Sequence, residues 1–135
     1  MATIKRVEHI GIAVEQIDAA LAFYTNGLGV TSVERKDVPE QAVRTAFLPA
    51  GETHLELLEP MTPESTMRKF LDKRGEGIHH ICLEVDDIQA ALDQLAAQGY
   101  QLIDSKPRQG VHGLVAFVHP KSSHGVLIEL TQLHS

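Results

Sequence analysis

Two histidines and two glutamates recur in this chain at matched places, and together they form a set of donors able to hold a metal ion. His9 opens the run HIGIAVEQIDAAL over residues 9 to 21, and His80 opens HICLEVDDIQAAL over residues 80 to 92. The runs align without a gap and share His, Ile, Val, Ile and Ala-Ala-Leu. The halves also close alike: Ala46-Phe47 precedes Leu55-Glu56-Leu57, and Ala116-Phe117 precedes Ile128-Glu129-Leu130. Each half therefore begins with His and ends with Glu. Two imidazoles and two carboxylates suit an octahedral Co, Mn, Ni, Zn or Fe ion better than a structural zinc site, where tetrahedral Cys and His prevail. One His or Glu on a polar strand face is usually just solvated; the symmetric recurrence raises these four above that reading.

The elements that must position them follow from the changing periodicity. Ile10, Ile12 and Val14 alternate with His9, Gly11 and Ala13, and Ile81, Leu83 and Val85 alternate with His80, the period-2 pattern of strands with one face in the core. Parity places His9 and His80 on the face opposite those apolar residues, and Glu56 and Glu129 opposite their flanking Leu and Ile. Ile17, Leu21 and Tyr24, then Ile88, Leu92 and Leu95, have helical spacing, with Asp86 or Asp87 placed to cap the second helix and Gly27 and Gly99 placed to end the two. Three strand-like runs follow each helix, near 30–37, 43–49 and 54–59, then 100–104, 113–118 and 126–132. The reading is an α+β fold of two tandem βαβββ modules, about 5–60 and 76–135, in a single domain over residues 1–135. A connector at about 61–75 carries a short helix from Pro63 to Leu71, stopped by Gly75 and Gly77. Packed about a pseudo-two-fold axis, the modules would bring the four donors into one metal-holding cleft.

Composition narrows the function. The chain has 135 residues, 43% hydrophobic and 22% charged, as expected of one folded domain. A formal net charge of -6 argues against nucleic acid as a partner. The longest apolar runs are strand-length, far short of the roughly 20 residues of a membrane span, and no secretion signal opens the chain, so a cytoplasmic location is expected. Cys82 is the only cysteine, which excludes an internal disulfide and a thiolate-rich metal site. Cys82 reads as packing or lining rather than a nucleophile. His79 adjoins His80 and competes with it as a ligand, but the repeat selects His80 and parity turns His79 toward the helix side. Among the other histidines, His112 carries most weight, because Gly110 and Gly113 suggest a turn approaching a ligand.

With the repeat and the paired residues in view, the chain resembles the vicinal oxygen chelate (glyoxalase/bleomycin resistance) superfamily and, within it, the methylmalonyl-CoA epimerase family. The matching segments are HIGIAV, PEQAVRTAFL, HLELLEP, GIHHICLEVDDI and VHGLVAFVHPKSSHGVLIEL, with Thr131-Gln132 near the end. HIGIAV is common across the superfamily, whereas HHICLEV with HPK and GVLIEL is more specific. The resemblance implies that His9, Glu56, His80 and Glu129 bind a divalent metal, cobalt first, and that Glu40 is an acid/base carboxylate. Some relatives carry Gln where Glu56 stands, and Ala42 departs from the Gly that commonly follows the Glu-Gln pair. It also implies an acyl-CoA substrate and a homodimer. The implied reaction interconverts (R)- and (S)-methylmalonyl-CoA by removing the C2 proton and returning it to the other face of an enolate. Two bases on opposite faces are the simplest arrangement, with Glu40 and Glu129 as the pair and burial raising Glu40 toward working pH. A ligated Glu129 is a weaker base, which makes Glu40 the firmer of the two. Lys106, Arg108 and Lys121 offer charge near the CoA phosphates without being assigned as contacts. The competing expectations are a glyoxalase I-type lyase and a non-catalytic binding relative of the same fold; PEQAV and HPK favour the epimerase, and the full donor set disfavours a mere binder.

Overall fold

The computed structural model describes residues 2–110 and 112–134. They form two compact units: Ile10–His79, and the chain up to His9 together with everything from His80 onward.

The Ile10–His79 unit holds the later part of β1 (Ile4–Ala13), α1 (Ile17–Ala22), β2 (Glu34–Val38), β3 (Val43–Ala50), β4 (Thr53–Pro60) and α2 (Thr66–Arg74), with strands ordered β2-β3-β4-β1. β2 with β3 and β3 with β4 run antiparallel, and Phe47 lies opposite Glu56. The expected stripe of α1 is present: Ile17, Leu21 and Tyr24 pack with Val14, Ala46, Leu48 and Leu57. The helix does not simply stop at Gly27, however, but widens into a π turn over Phe23–Gly27. α2 starts later than Pro63, because Ser65 caps it, its hydroxyl accepting from Arg68 N–H at 3.0 Å. Met67 and Leu71 of α2 bury against Ala13, Val43 and Leu58. β1 is therefore covered on both faces in this unit, Ala13 on one side and Ile12 and Val14 on the other. Alternation found the strand, but the face opposite the isoleucines is enclosed as well.

The second unit holds the first part of β1, β5 (Gly77–Val85) from His80, α3 (Ile88–Ala97), β6 (Arg108–Gln109), β7 (Gly113–Val118) and β8 (Ile128–Leu133), ordered β1-β5-β8-β7-β6. β5 and β8 are parallel, and β7 and β8 antiparallel, with Phe117 opposite Glu129. Asp87 caps α3 by accepting from Ala90 N–H at 3.0 Å, and Ile88 and Leu92 bury against Val85, Ala116, Val118 and Leu130. The strand expected at 100–104 is reduced to one bridge, Leu102 to Val118. Ile103 N–H and Asp104 N–H both donate to the carbonyl of Phe117, while the Asp104 carboxylate takes the Phe117 N–H, so a side chain replaces the ladder there. The short β6 supplies the missing pairing along β7. Gly113 is demanded by backbone proximity: a Cβ there would lie 2.2 Å from the carbonyl oxygen of Gln132. Among the described residues no helix is long and apolar enough to cross a membrane.

Candidate metal centre

His9 comes from β1, His80 from β5 and Glu129 from β8, all in the second unit. Parallel pairing sets Cys82 directly opposite Glu129, so His80, two residues before Cys82, projects on the same face of β5. The Nε2 atoms of His9 and His80 are 2.9 Å apart. Glu129 Oε1 lies 3.1 Å from His80 Nε2 and 3.3 Å from His9 Nε2. All three side chains are largely enclosed, with relative exposures of 11%, 7% and 12% for His9, His80 and Glu129.

This triangle fits a cation. Metal–ligand bonds of about 2.1 Å set neighbouring octahedral ligands about 3.0 Å apart and tetrahedral ones about 3.4 Å apart. The two edges to Glu129, 3.1 and 3.3 Å, lie in that interval, and the His9–His80 edge, 2.9 Å, is about 0.1 Å below its octahedral end. A carboxylate and two imidazole nitrogens that close cannot all present lone pairs to one another, so a proton or a metal ion must lie among them. Burial by itself would raise the pKa of Glu129, but hydrogen bonds from His80 and His9, reinforced by their charge, overcome it and hold the carboxyl down to about 2. Glu129 is thus an anion ready to ligate and a weak proton acceptor. Cys82, fully buried below it, has its thiol pushed up to about 12, chiefly by burial, which agrees with a packing role and not a nucleophilic one.

One participant escaped the sequence reading. Glu8 Oε1 accepts from His9 Nδ1–H at 2.6 Å. Glu8 itself is faced by Arg6, whose Nη2 is 3.9 Å from Oε2, and Arg6 Nε donates to Glu84 at 2.7 Å. The repeat could not select Glu8, since the equivalent position before His80 is His79. Its signal was adjacency to a donor histidine.

Residues 8–117 match the model of the Glyoxalase/Bleomycin resistance protein/Dioxygenase superfamily. The ethylmalonyl-CoA/methylmalonyl-CoA epimerase of Cereibacter sphaeroides is 42% identical over 133 residues, covering 96% of this chain and 99% of that protein. The human mitochondrial methylmalonyl-CoA epimerase is 41% identical over 129 residues, 94% of this chain and 73% of that one. The chain belongs to the methylmalonyl-CoA epimerase family of that superfamily. A solved structure of a methylmalonyl-CoA epimerase in complex with methylmalonyl-CoA and NH4+ superposes on this epimerase-family chain with a TM-score of 0.89 at 36% identity, covering 98% of this chain and 97% of that one.

The remaining candidates of this epimerase-family chain are placed as follows. Glu56 stands on β4 in the Ile10–His79 unit, half-buried and opposite Phe47, just as Glu129 stands opposite Phe117. The repeat seen in sequence is therefore kept as backbone register. Glu40 sits on a 3-10 turn, Pro39–Gln41, and is exposed, contrary to the burial expected of it; Pro39 and the left-handed Ala42 (φ 55°) hold the turn outward. That φ is one a glycine adopts without steric cost, in keeping with the Gly that the family resemblance leads one to expect there. His79 packs edge-on against Phe70 of α2, ring centroids 4.8 Å apart, on the helix side as parity required. His112 is exposed, and its neighbour Gly113 lies close against the backbone of β8. Arg108 is paired with Asp104 at 3.3 Å and lies over the Phe117 ring, while Lys106 and Lys121 are exposed.

Proposed function

We propose that this chain is a metal-dependent methylmalonyl-CoA epimerase, interconverting the (R) and (S) forms of its substrate through an enolate. The observation that carries this is the buried triangle of His9, His80 and Glu129, in a chain aligned over nearly its whole length with enzymes of that activity. His9 Nε2, His80 Nε2 and Glu129 Oε1 would hold a divalent ion, with Glu56 as the fourth ligand on the strength of the repeat and the family resemblance. When bound, the ion supplies the positive charge against which negative charge develops on the thioester oxygen. We assign cobalt first on the strength of the family resemblance; the mixed nitrogen and oxygen donors suit manganese, nickel, zinc or iron as well.

Glu40 takes the C2 proton on one face of the substrate. Its exposed place on a turn leaves the carboxylate reachable, and substrate would supply the enclosure that the chain alone does not give it. Glu129, held down to about 2 while paired with the histidines, serves the other face only when that pairing loosens. Glu40→Gln should therefore bind metal as wild type does and lose turnover; an active variant removes Glu40 from the role. We also propose a homodimer with one centre per chain, in the cytoplasm, where a single unpaired cysteine is at home.

The deciding experiment follows the C2 proton of methylmalonyl-CoA by NMR in deuterated water, with cobalt-loaded and with metal-free protein. Metal-dependent loss of that signal is expected. A fully loaded protein that leaves it untouched overturns the epimerase reading.

A further inference from the structure

Behind His9 runs a series of charged side chains outside the three donors. A metal-binding histidine must present one ring nitrogen with a free lone pair, and its tautomer is set by what the other nitrogen does. His9 Nδ1 is 2.6 Å from Glu8 Oε1. A carboxylate can only accept, so His9 keeps a proton on Nδ1, and the proton that Nε2 shares with Glu129 is the one a metal ion would replace, freeing the Nε2 lone pair on the side of His80 and Glu129. The carboxylate is itself held, with Arg6 beyond it, and Arg6 is anchored on the buried Glu84, which Lys5 also faces at 3.5 Å. Four linked charges thus end at the Nδ1 edge of one imidazole.

We propose that Glu8 is a positioning residue for the metal centre, fixing the His9 ring and tautomer and lending its negative charge to the imidazole. This rests on the metal-centre reading above. Glu8 does not join a second metal group with His9 and Cys82, although the three offer atoms within 4.8 Å of one another. A separation of 2.6 Å is that of a charge-assisted hydrogen bond and leaves no room for an ion between nitrogen and oxygen. The arrangement has a further consequence. A carboxylate behind an imidazole raises its basicity, so His9 should be the stronger donor toward the ion than an imidazole backed by a neutral group.

The test measures cobalt(II) affinity by calorimetry on the full-length metal-free protein, for wild type, Glu8→Ala and Glu8→Gln, with the visible cobalt spectrum recorded at saturation. Glu8→Ala is expected to weaken binding about 10- to 100-fold, the range typical of lost outer carboxylates. Glu8→Gln, which keeps an oxygen acceptor for Nδ1–H but no charge, should lose less, about 3- to 10-fold, and shift the cobalt absorption bands. Loss of a merely structural residue would lower the melting temperature and leave the saturated spectrum unchanged. Should Glu8→Ala fail to fold, the near-isosteric Glu8→Gln decides. Affinities within twofold of wild type with an unaltered spectrum overturn the role of Glu8 and leave the centre standing; a wild type that binds no cobalt overturns both.

Discussion

A buried carboxyl that stays ionised does so because its neighbours outweigh the cost of burial, and for Glu129 those neighbours are two histidines. The balance has a consequence for stability. Because the folded carboxyl titrates near 2 instead of 4.5, it stabilises the fold fully above about pH 4.5, and that contribution drains away as pH falls toward 2. The difference corresponds to about 3 kcal/mol. Denaturant unfolding of metal-free protein between pH 6 and 2 should show this loss, and Glu129→Gln should lack it; equal pH slopes in both proteins would refute the assignment. Cys82 offers a second check at this scale. Its thiol, buried and pushed up to about 12, should resist iodoacetamide at pH 8 in the native protein and react within minutes in urea. Legibility at this scale was uneven. His9, His80 and Glu129 were readable because a repeat placed them, whereas Glu8 was not, since hydrogen bonding to a neighbour's ring leaves no period in the sequence. The exposure of Glu40 was unreadable for another reason: the turn that carries it depends on the left-handed backbone of Ala42, a conformation an alanine does not announce.

At the scale of elements, the first βαβββ module was legible in full and the second except for its run at 100–104, because the period switches from two to 3.6 and back within each half. The Glu56–Phe47 and Glu129–Phe117 pairings then preserve the repeat as register. Burial was harder to read. On β1 the small residues Gly11 and Ala13 lie on the His9 face, and an alternation of apolar with small residues does not reveal that both faces are covered. The run at 100–104 looked like a strand from composition and lost its ladder to the carboxylate of Asp104. Two substitutions test these local demands. Ala42→Gly should stabilise the protein by up to about 1 kcal/mol, since the relief of a left-handed alanine exceeds the extra freedom given to the unfolded chain. Gly113→Ala should destabilise by about 2–3 kcal/mol, since its Cβ would press on the Gln132 carbonyl and force β7 and β8 apart. Both are read from urea midpoints. A neutral Gly113→Ala would mean that β7 can shift without cost.

For the whole molecule, the donors matter as much for where they lie in the chain as for their chemistry. His9 and His80 are 71 residues apart, and Glu129 lies near the other end of the sequence. An ion held by the three ties an early strand to a middle and a late one, contacts that exist only in the folded state, and an unfolded chain offers no comparable cluster. Such an ion must stabilise folding by mass action, by about 2.7 kcal/mol at a hundredfold excess over its dissociation constant and about 1.4 kcal/mol more for each further tenfold. For a chain of this size the first increment should raise the melting temperature by on the order of 10 °C. Calorimetric scans with increasing cobalt should therefore give a melting temperature that climbs with the logarithm of free metal and falls back on chelation. His80→Ala should flatten that climb and also lower the metal-free melting temperature, because it removes a donor to the ion and one of the two histidines that keep the buried Glu129 carboxylate ionised. A wild-type melting temperature indifferent to cobalt would show that the triangle holds a proton in solution and no metal, and with it would go the assignment of the centre to catalysis.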